Sequence, residues 1–289
     1  MNRSARLPGV ELRKRLARAI RGGHPWIYRD ALAGAPRLPD GAVVRVTTRN
    51  ASTLAIGFWD ARSPIAVRII ADGGGADAGA IVGERVAAAL ARRLAFIDRG
   101  QTDAFRWIHG EGDRLPGVHV DLYGRAASLR YDGEGARAFY RDLPARLRDA
   151  AGAAGLALDT VVERRRARGD GQADGGERAA AVLGAAPAAE IEVRENGLRF
   201  GVDLMRGQKG GLFLDQRDNR ARVRGLAPGR RVLNLFGYTG GFSVYAAAGG
   251  ARATTTVDAA APAIAAARQN FERNRLAAEG ARFVAGDAF

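Results

Sequence analysis

Apolar residues alternate with polar or small ones over 42–46, 54–58 and 65–70, three short runs bounded by turn formers. A period of two marks half-buried strands, so the opening seventy or so residues predict a small β domain. The stretch Asp72-Gly-Gly-Gly-Ala-Asp-Ala-Gly79 has almost nothing to bury and reads as a linker. Val82, Val86, Leu90 and Leu94 then recur four apart, with Arg85, Arg92 and Arg93 off their line, which predicts an amphipathic helix. Between 104 and 165 the pattern predicts strands at 105–108, 118–122 and 126–131, a helix over 136–150 and a strand at 160–163, an α+β unit. Residues 168–176, rich in Gly and Asp, read as a mobile insertion between strands. Apolar alternation on both sides of Asn196-Gly197 predicts a hairpin over 190–203 with a type I′ turn.

The pattern changes again at Val232. An apolar run to Phe236 suits a central parallel strand, and the turn with Gly237, Gly240 and Gly241 leads into a helix over 242–248. A second strand, 254–258, ends in Asp258, and a helix over 262–274 has Pro262 in its first turn. Strand, glycine turn, helix, strand and terminal acid in that order form a nucleotide-cofactor half-site. Glycine lets the backbone approach a ligand closely, and the acid accepts two ribose hydroxyls. The turn lacks the Gly-x-Gly-x-x-Gly that cradles pyrophosphate, and Gly-x-x-Gly-Gly suits a cofactor with a carboxylate tail and no phosphates. Glycine-rich turns also occur in α/β proteins that bind nothing there. The residues after Asp258 leave room for three strands in all, short of a doubly wound sheet.

Two further stretches concentrate polar groups. Asp215, Gln216, Arg217 and Asp218 follow an apolar patch, either as ligand contacts or with Asp215 capping a helix over 216–223 and Arg217 pairing with Asp218. His109, Glu111, Asp113 and His119 lie among turn formers between two strands, and without helical ligand spacing no metal is expected from them.

Composition sharpens this picture. With 47% hydrophobic residues among 289, the chain can bury a sizeable core in two or three domains. No apolar run approaches a membrane span and no apolar stretch follows the basic N-terminal residues, so a cytoplasmic, soluble protein is expected. The absence of cysteine excludes disulfides, thiolate metal sites and a cysteine nucleophile from these residues. The formal charge of +14 is nearly all arginine, since Lys14 and Lys209 are the only lysines. Such a surface attracts polyanions, although an arginine bias of composition gives the same count. Two clusters stand out as phosphate contacts: Arg13-Lys14-Arg15 with Arg18 and Arg21, and Arg164-Arg165-Arg166 with Arg168.

In combination, four motifs resemble the bacterial large-subunit ribosomal RNA (cytosine-C5) methyltransferases that carry an N-terminal PUA domain. They are His24-Pro-Trp-Ile-Tyr28, Gly110-Glu-Gly-Asp-Arg-Leu-Pro-Gly117 with Asp121, Leu214-Asp-Gln-Arg-Asp218, and Leu233-Asn-Leu-Phe-Gly-Tyr-Thr-Gly-Gly-Phe242. The resemblance spans nearly the whole chain. It implies a multidomain α/β protein: a PUA-like β-barrel over 1–74, a central α+β domain over 75–188, and part of a Rossmann-like class I methyltransferase domain over 189–289. It implies S-adenosylmethionine (SAM) held by Asn234, Phe236, Gly237, Tyr238, Thr239, Gly240 and Gly241, with Asp258 on the ribose and Asp287 near the adenine amino group. Phe213, Asp215 and Arg217 would cover the cofactor, and Arg13, Lys14, Arg15 and Lys209 are the candidate contacts to ribosomal RNA.

The family also uses an Asp-Pro-Pro loop and a cysteine that attacks cytosine C6, and neither occurs in this sequence. They would lie beyond Phe289, so no catalytic residue is assigned here and the 289-residue chain is expected to be inactive. The first strand of the partial sheet would be exposed where a fourth should pair, an edge that invites aggregation or dimerisation. The competing readings are a non-catalytic RNA-binding protein built on the same domains and, last, a nicotinamide oxidoreductase.

Overall fold

The computed structural model describes residues 7–288 except 35, 51, 75–76, 167–176, 189, 208–210 and 278, with only the backbone at 166 and 177. The chain forms two compact units, one comprising Met1–Ala95, Trp107–Val120 and Leu129–Leu158, the other Phe96–Arg106, Asp121–Ser128 and Asp159–Phe289.

In the first unit, strands β1 (Gly9–Glu11), β2 (Trp26–Tyr28), β3 (Val43–Thr47), β4 (Thr53–Trp59) and β5 (Ile65–Asp72) form a sheet in the order β1-β3-β4-β5-β2. The three alternating runs became β3, β4 and β5, paired antiparallel. Their inward residues Val44, Val46, Leu54, Trp59 and Val67 build the core, closed by Ile20 from helix α1 (Ala17–Arg21) and by Ile27 from β2. The short strands β1 and β2 carry too few residues to show a period. Helix α2 (Ala78–Leu94) begins where the Asp77 carboxylate accepts the N–H groups of Gly79 and Ala80, and it buries Val82, Val86 and Leu90.

The single helix expected over 136–150 is two helices, α3 (Glu134–Phe139) and α4 (Leu143–Ala153). Pro144 lies in the first turn of α4, where its missing N–H leaves no bond unmade; inside a longer helix it would break one.

A second sheet has the order β10-β9-β8-β7-β6, from β6 (Ala104–His109), β7 (Val118–Tyr123), β8 (Ala126–Tyr131), β9 (Thr160–Arg166) and β10 (Glu177–Leu183). Strand β10 was not anticipated. Its Ala179-Ala180-Ala181 centre has no branched residue to signal a strand, yet it pairs antiparallel with β9. The insertion expected at 168–176 lies outside the described residues.

The remaining elements belong to the second unit. Strands β11 (Ile191–Glu195) and β12 (Leu198–Val202) form the expected hairpin, with Asn196 at φ 49° and Gly197 at φ 78° giving the two left-handed residues of a type I′ turn. Strands β13 (Arg231–Leu235), β14 (Ala253–Asp258) and β15 (Ala281–Ala285) form a parallel sheet in that order. Helix α5 is Arg217–Leu226, while α6 (Gly241–Ala248) and α7 (Ala261–Arg273) pack on the parallel sheet. Phe200, Val202, Val244, Tyr245 and Phe271 form the core beneath it. Strand β13 is one of the two edges of the sheet, with Leu233 63% and Leu235 43% exposed. Among the described residues, no helix is long and apolar enough to cross a membrane.

Candidate cofactor site

The carboxyl ends of β13, β14 and β15 lead to Phe236, Asp258 and Asp287, and the Gly286 N–H donates to the Asp258 carbonyl at 3.0 Å. In open parallel sheets this end is where ligands bind. The turn after β13 has three left-handed residues in five, Phe236 (φ 54°), Tyr238 (φ 47°) and Gly240 (φ 75°). Such a conformation at two aromatic residues is unfavourable and persists only where neighbouring contacts impose it. Here the Gly237 N–H donates to the Val257 carbonyl at 2.9 Å and the Tyr238 N–H to Asp258 Oδ2 at 2.8 Å. A Cβ on Gly237 would lie 2.5 Å from Thr256 Cγ2, and one on Gly240 2.7 Å from the Cβ of Ala267. Both glycines are therefore required by the close approach of the turn to β14 and α7.

Asp258 Oδ1 also accepts the Ala260 N–H at 2.9 Å. An ionised carboxylate has about four lone-pair sites, so these two bonds fix its orientation and leave acceptor capacity for a ligand. The Asn234 amide donates to Ser243 Oγ at 3.0 Å, and the Thr256 hydroxyl donates to the same oxygen at 2.7 Å. This polar chain ties β13, α6 and β14 together below the turn. Thr239 Oγ1 donates to the Gly211 carbonyl at 3.1 Å, and the Asn270 amide donates to the Thr239 carbonyl at 2.9 Å.

The segment before α5 meets the same turn. The Phe213 ring stands edge-on to Tyr238, with centroids 5.6 Å apart. The Phe213 carbonyl accepts from Arg220 Nη2 at 3.0 Å, while Arg220 forks onto Glu195 at 2.8 and 2.7 Å. The Tyr245 hydroxyl lies 2.9 Å from Glu195 Oε1. Burial and the Glu195 charge push the Tyr245 phenol well above its usual pKa, so it remains a donor.

The expected helix over 216–223 starts at Arg217, after a single 3₁₀ turn, Leu214–Gln216. Its N-cap is Gln216, with no side-chain cap bond, so Asp215 does not cap it; Asp215 is exposed and accepts from the Gln216 amide at 3.2 Å. Arg217 pairs with Asp218 at 3.3 Å, and Asp287 is exposed just past β15.

The basic clusters divide. In the first unit Arg13, Lys14, Arg15, Arg18 and Arg21 are exposed; Arg13 donates to the Asp30 carbonyl, and the Lys14 bond holds the Asp30 carboxyl below its ordinary pKa. Lys209 and Arg168 lie outside the described residues. Arg164 is no surface phosphate contact: it is buried and donates to the carbonyls of Leu204 at 3.0 Å and Gly207 at 2.6 Å. The four side chains around 109–119 meet other protein groups: Asp113 accepts from Arg92, Arg93 and the His109 N–H, Glu111 accepts from Trp26, His119 bonds Asp132, and the His109 ring stands edge-on to His119 with centroids 5.8 Å apart.

Sequence reasoning missed Glu195, Arg220, Tyr245, Ser243 and Asn270. A tyrosine and an asparagine on otherwise apolar helix faces were the available signals. Arg220 gave none, since α5 has Arg217, Arg222 and Arg224 besides.

Residues 136–289 match the family described as S-adenosylmethionine-dependent methyltransferase, and residues 10–72 match a PUA-like domain. A ribosomal RNA large subunit methyltransferase of Deinococcus radiodurans is 37% identical over 96% of this chain and 70% of its own length. A ribosomal RNA large subunit methyltransferase I of Alteromonas mediterranea is 34% identical over 94% of this chain and 68% of its own. A solved structure from Streptococcus mutans, named for SAM-dependent methyl transfer, superimposes with a TM-score of 0.78 at 24% identity, over 98% of this chain and 72% of that one, a likeness of fold. On these matches and the sheet that carries them, the chain belongs to the S-adenosylmethionine-dependent methyltransferase family and joins that domain to a PUA-like one.

Proposed function

We propose that this chain is the cofactor-binding and RNA-binding part of an enzyme that methylates large-subunit ribosomal RNA at cytosine C5. The observation that carries the reading is the strained turn 236–240 held against Asp258, with the Phe213 segment packed on it. The donor set fits SAM: a carboxylate with lone pairs left for ribose hydroxyls, backbone N–H groups at the start of α6 for a carboxylate tail, and aromatic faces for the adenine. In this reading Asn234 of β13, Phe236, Gly237, Tyr238, Thr239 and Gly240 of the turn and Gly241 at the start of α6 hold SAM, Asp258 takes the ribose, Asp287 the adenine amino group, and Phe213, Asp215 and Arg217 cover it. When bound, SAM supplies a methyl group on a positively charged sulfur. The division into residues 1–74, 75–188 and 189–289 is part of this reading.

The substrate rests on the names of the relatives and on the exposed arginines of the first unit. Cytosine C5 becomes nucleophilic once a nucleophile adds at C6, and these 289 residues hold no cysteine to do so. They therefore bind cofactor and RNA without turnover. Labelled SAM incubated with ribosomal RNA and this chain should leave the RNA unlabelled, and methyl transfer would overturn that assignment. RNA binding should weaken steeply with salt and on changing Arg13, Lys14 and Arg15 to Ala. Salt-independent binding, or equal affinity in the triple variant, would remove the N-terminal cluster from the interface.

A further inference from the structure

Buried ion pairs are weak stabilisers, because removing two charges from water offsets most of their attraction. The Glu195–Arg220 pair has side chains 0% and 3% exposed, so its presence needs another account. Arg220 does more than pair. Its Nη2 donates to the Phe213 carbonyl, which also accepts the Gln216 N–H at 3.0 Å, and its Cδ lies 3.2 Å from where a Cβ on Gly241 would sit. The guanidinium thus spans the start of α6, one side of the glycine turn, and the Phe213 segment on the other. Glu195 fixes the plane of that fork with two bonds, and Tyr245 fixes Glu195.

We propose that Arg220 is a positioning residue for cofactor binding: aligned by Glu195 and Tyr245, it holds the Phe213–Gln216 segment over the glycine turn. The inference rests on the cofactor reading above and adds the device that keeps the cover in place. Binding by a segment ordered in advance avoids part of the ordering cost that a loose cover would impose.

The test replaces both charges with apolar groups of similar size, Glu195→Met with Arg220→Met, in the 289-residue chain. Such replacements of buried pairs are often neutral or stabilising, and the Tyr245 hydroxyl keeps the Glu195 carbonyl at 3.1 Å as acceptor. Calorimetry with S-adenosylhomocysteine should show Kd raised at least tenfold while Tm without ligand is preserved. Unchanged Kd in the double variant overturns the proposal. Asp258→Ala runs in parallel: loss of binding there, with unchanged binding in the double variant, rejects the role of Arg220 alone. A wild-type chain that binds no S-adenosylhomocysteine rejects the cofactor reading and this proposal with it. If the double variant does not fold, Arg220→Lys is read by hydrogen exchange. The Gln216 amide should exchange at least tenfold faster, with the β11–β12 amides unchanged; equal acceleration of both would show a general structural role and overturn the positioning role.

Discussion

Asp113 and Glu195 are both buried acids paired with arginines, and they do different things. Asp113, in the first unit, accepts from Arg92 at 2.8 Å and from Arg93, which tie helix α2 to the turn that contains it, and from the His109 N–H, which closes that turn. Glu195, in the second unit, holds a single arginine whose Nη2 also donates to a backbone carbonyl of a segment that meets the glycine turn. The first arrangement closes on itself and serves the fold. The second hands its geometry on. A buried ion pair points to function through where its spare donor goes, not through its burial.

The largest expected effect separates the two. Asp113→Ala leaves Arg93 partly buried without its carboxylate and should cost about 3 kcal/mol of stability, measured by urea unfolding. S-adenosylhomocysteine affinity of the folded fraction should be unchanged. A weakened Kd would erase the contrast between the two acids. Gly240→Ala should come next, at about 2 kcal/mol, because its positive φ disfavours a side chain and the new methyl would lie 2.7 Å from Ala267. Stability equal to wild type would mean that the turn is not clamped against α7.

The smallest effect is one of pH. Burial raises the Asp113 pKa, but the Arg93 bond, the His109 N–H and the charges of Arg93 and Arg92 together hold it below its ordinary value. A depressed folded pKa contributes stability that is complete above the unfolded value of about 3.9 and is lost as pH falls through the folded one. Asp113→Asn should therefore flatten the stability profile below pH about 4, and a profile parallel to wild type would remove this carboxylate from the acid transition.

The local parts of the molecule were legible in the sequence. The type I′ hairpin, the strands β3 to β5 and the glycine turn with its acid all depend on neighbours a few residues apart, or on a strand–turn–helix order of fixed length. The split between α3 and α4 was also written there, at Pro144, but the apolar pattern continued across it and concealed it. Strand β10 was hidden because alanines carry no strand signature and only pairing with β9 selects the conformation. The brace of the site was illegible for a different reason: Glu195, Arg220 and Tyr245 are far apart in sequence and sit in one strand and two separate helices, which only the tertiary fold brings together. Asp215 lost its capping role because a 3₁₀ turn, which no spacing announced, moved the helix start by one residue.

The central claim is that the turn 236–240 and Asp258 form the SAM site, and calorimetry of S-adenosylhomocysteine against the wild-type chain and Asp258→Ala tests it most directly. Each hydrogen bond from a ribose hydroxyl to a charged acceptor is worth roughly 1.5 to 3 kcal/mol, so losing two should raise Kd by about a hundredfold or more. Binding that disappears or weakens to that extent, with the variant still folded, is the result this account predicts, and equal affinity in the two proteins would contradict it.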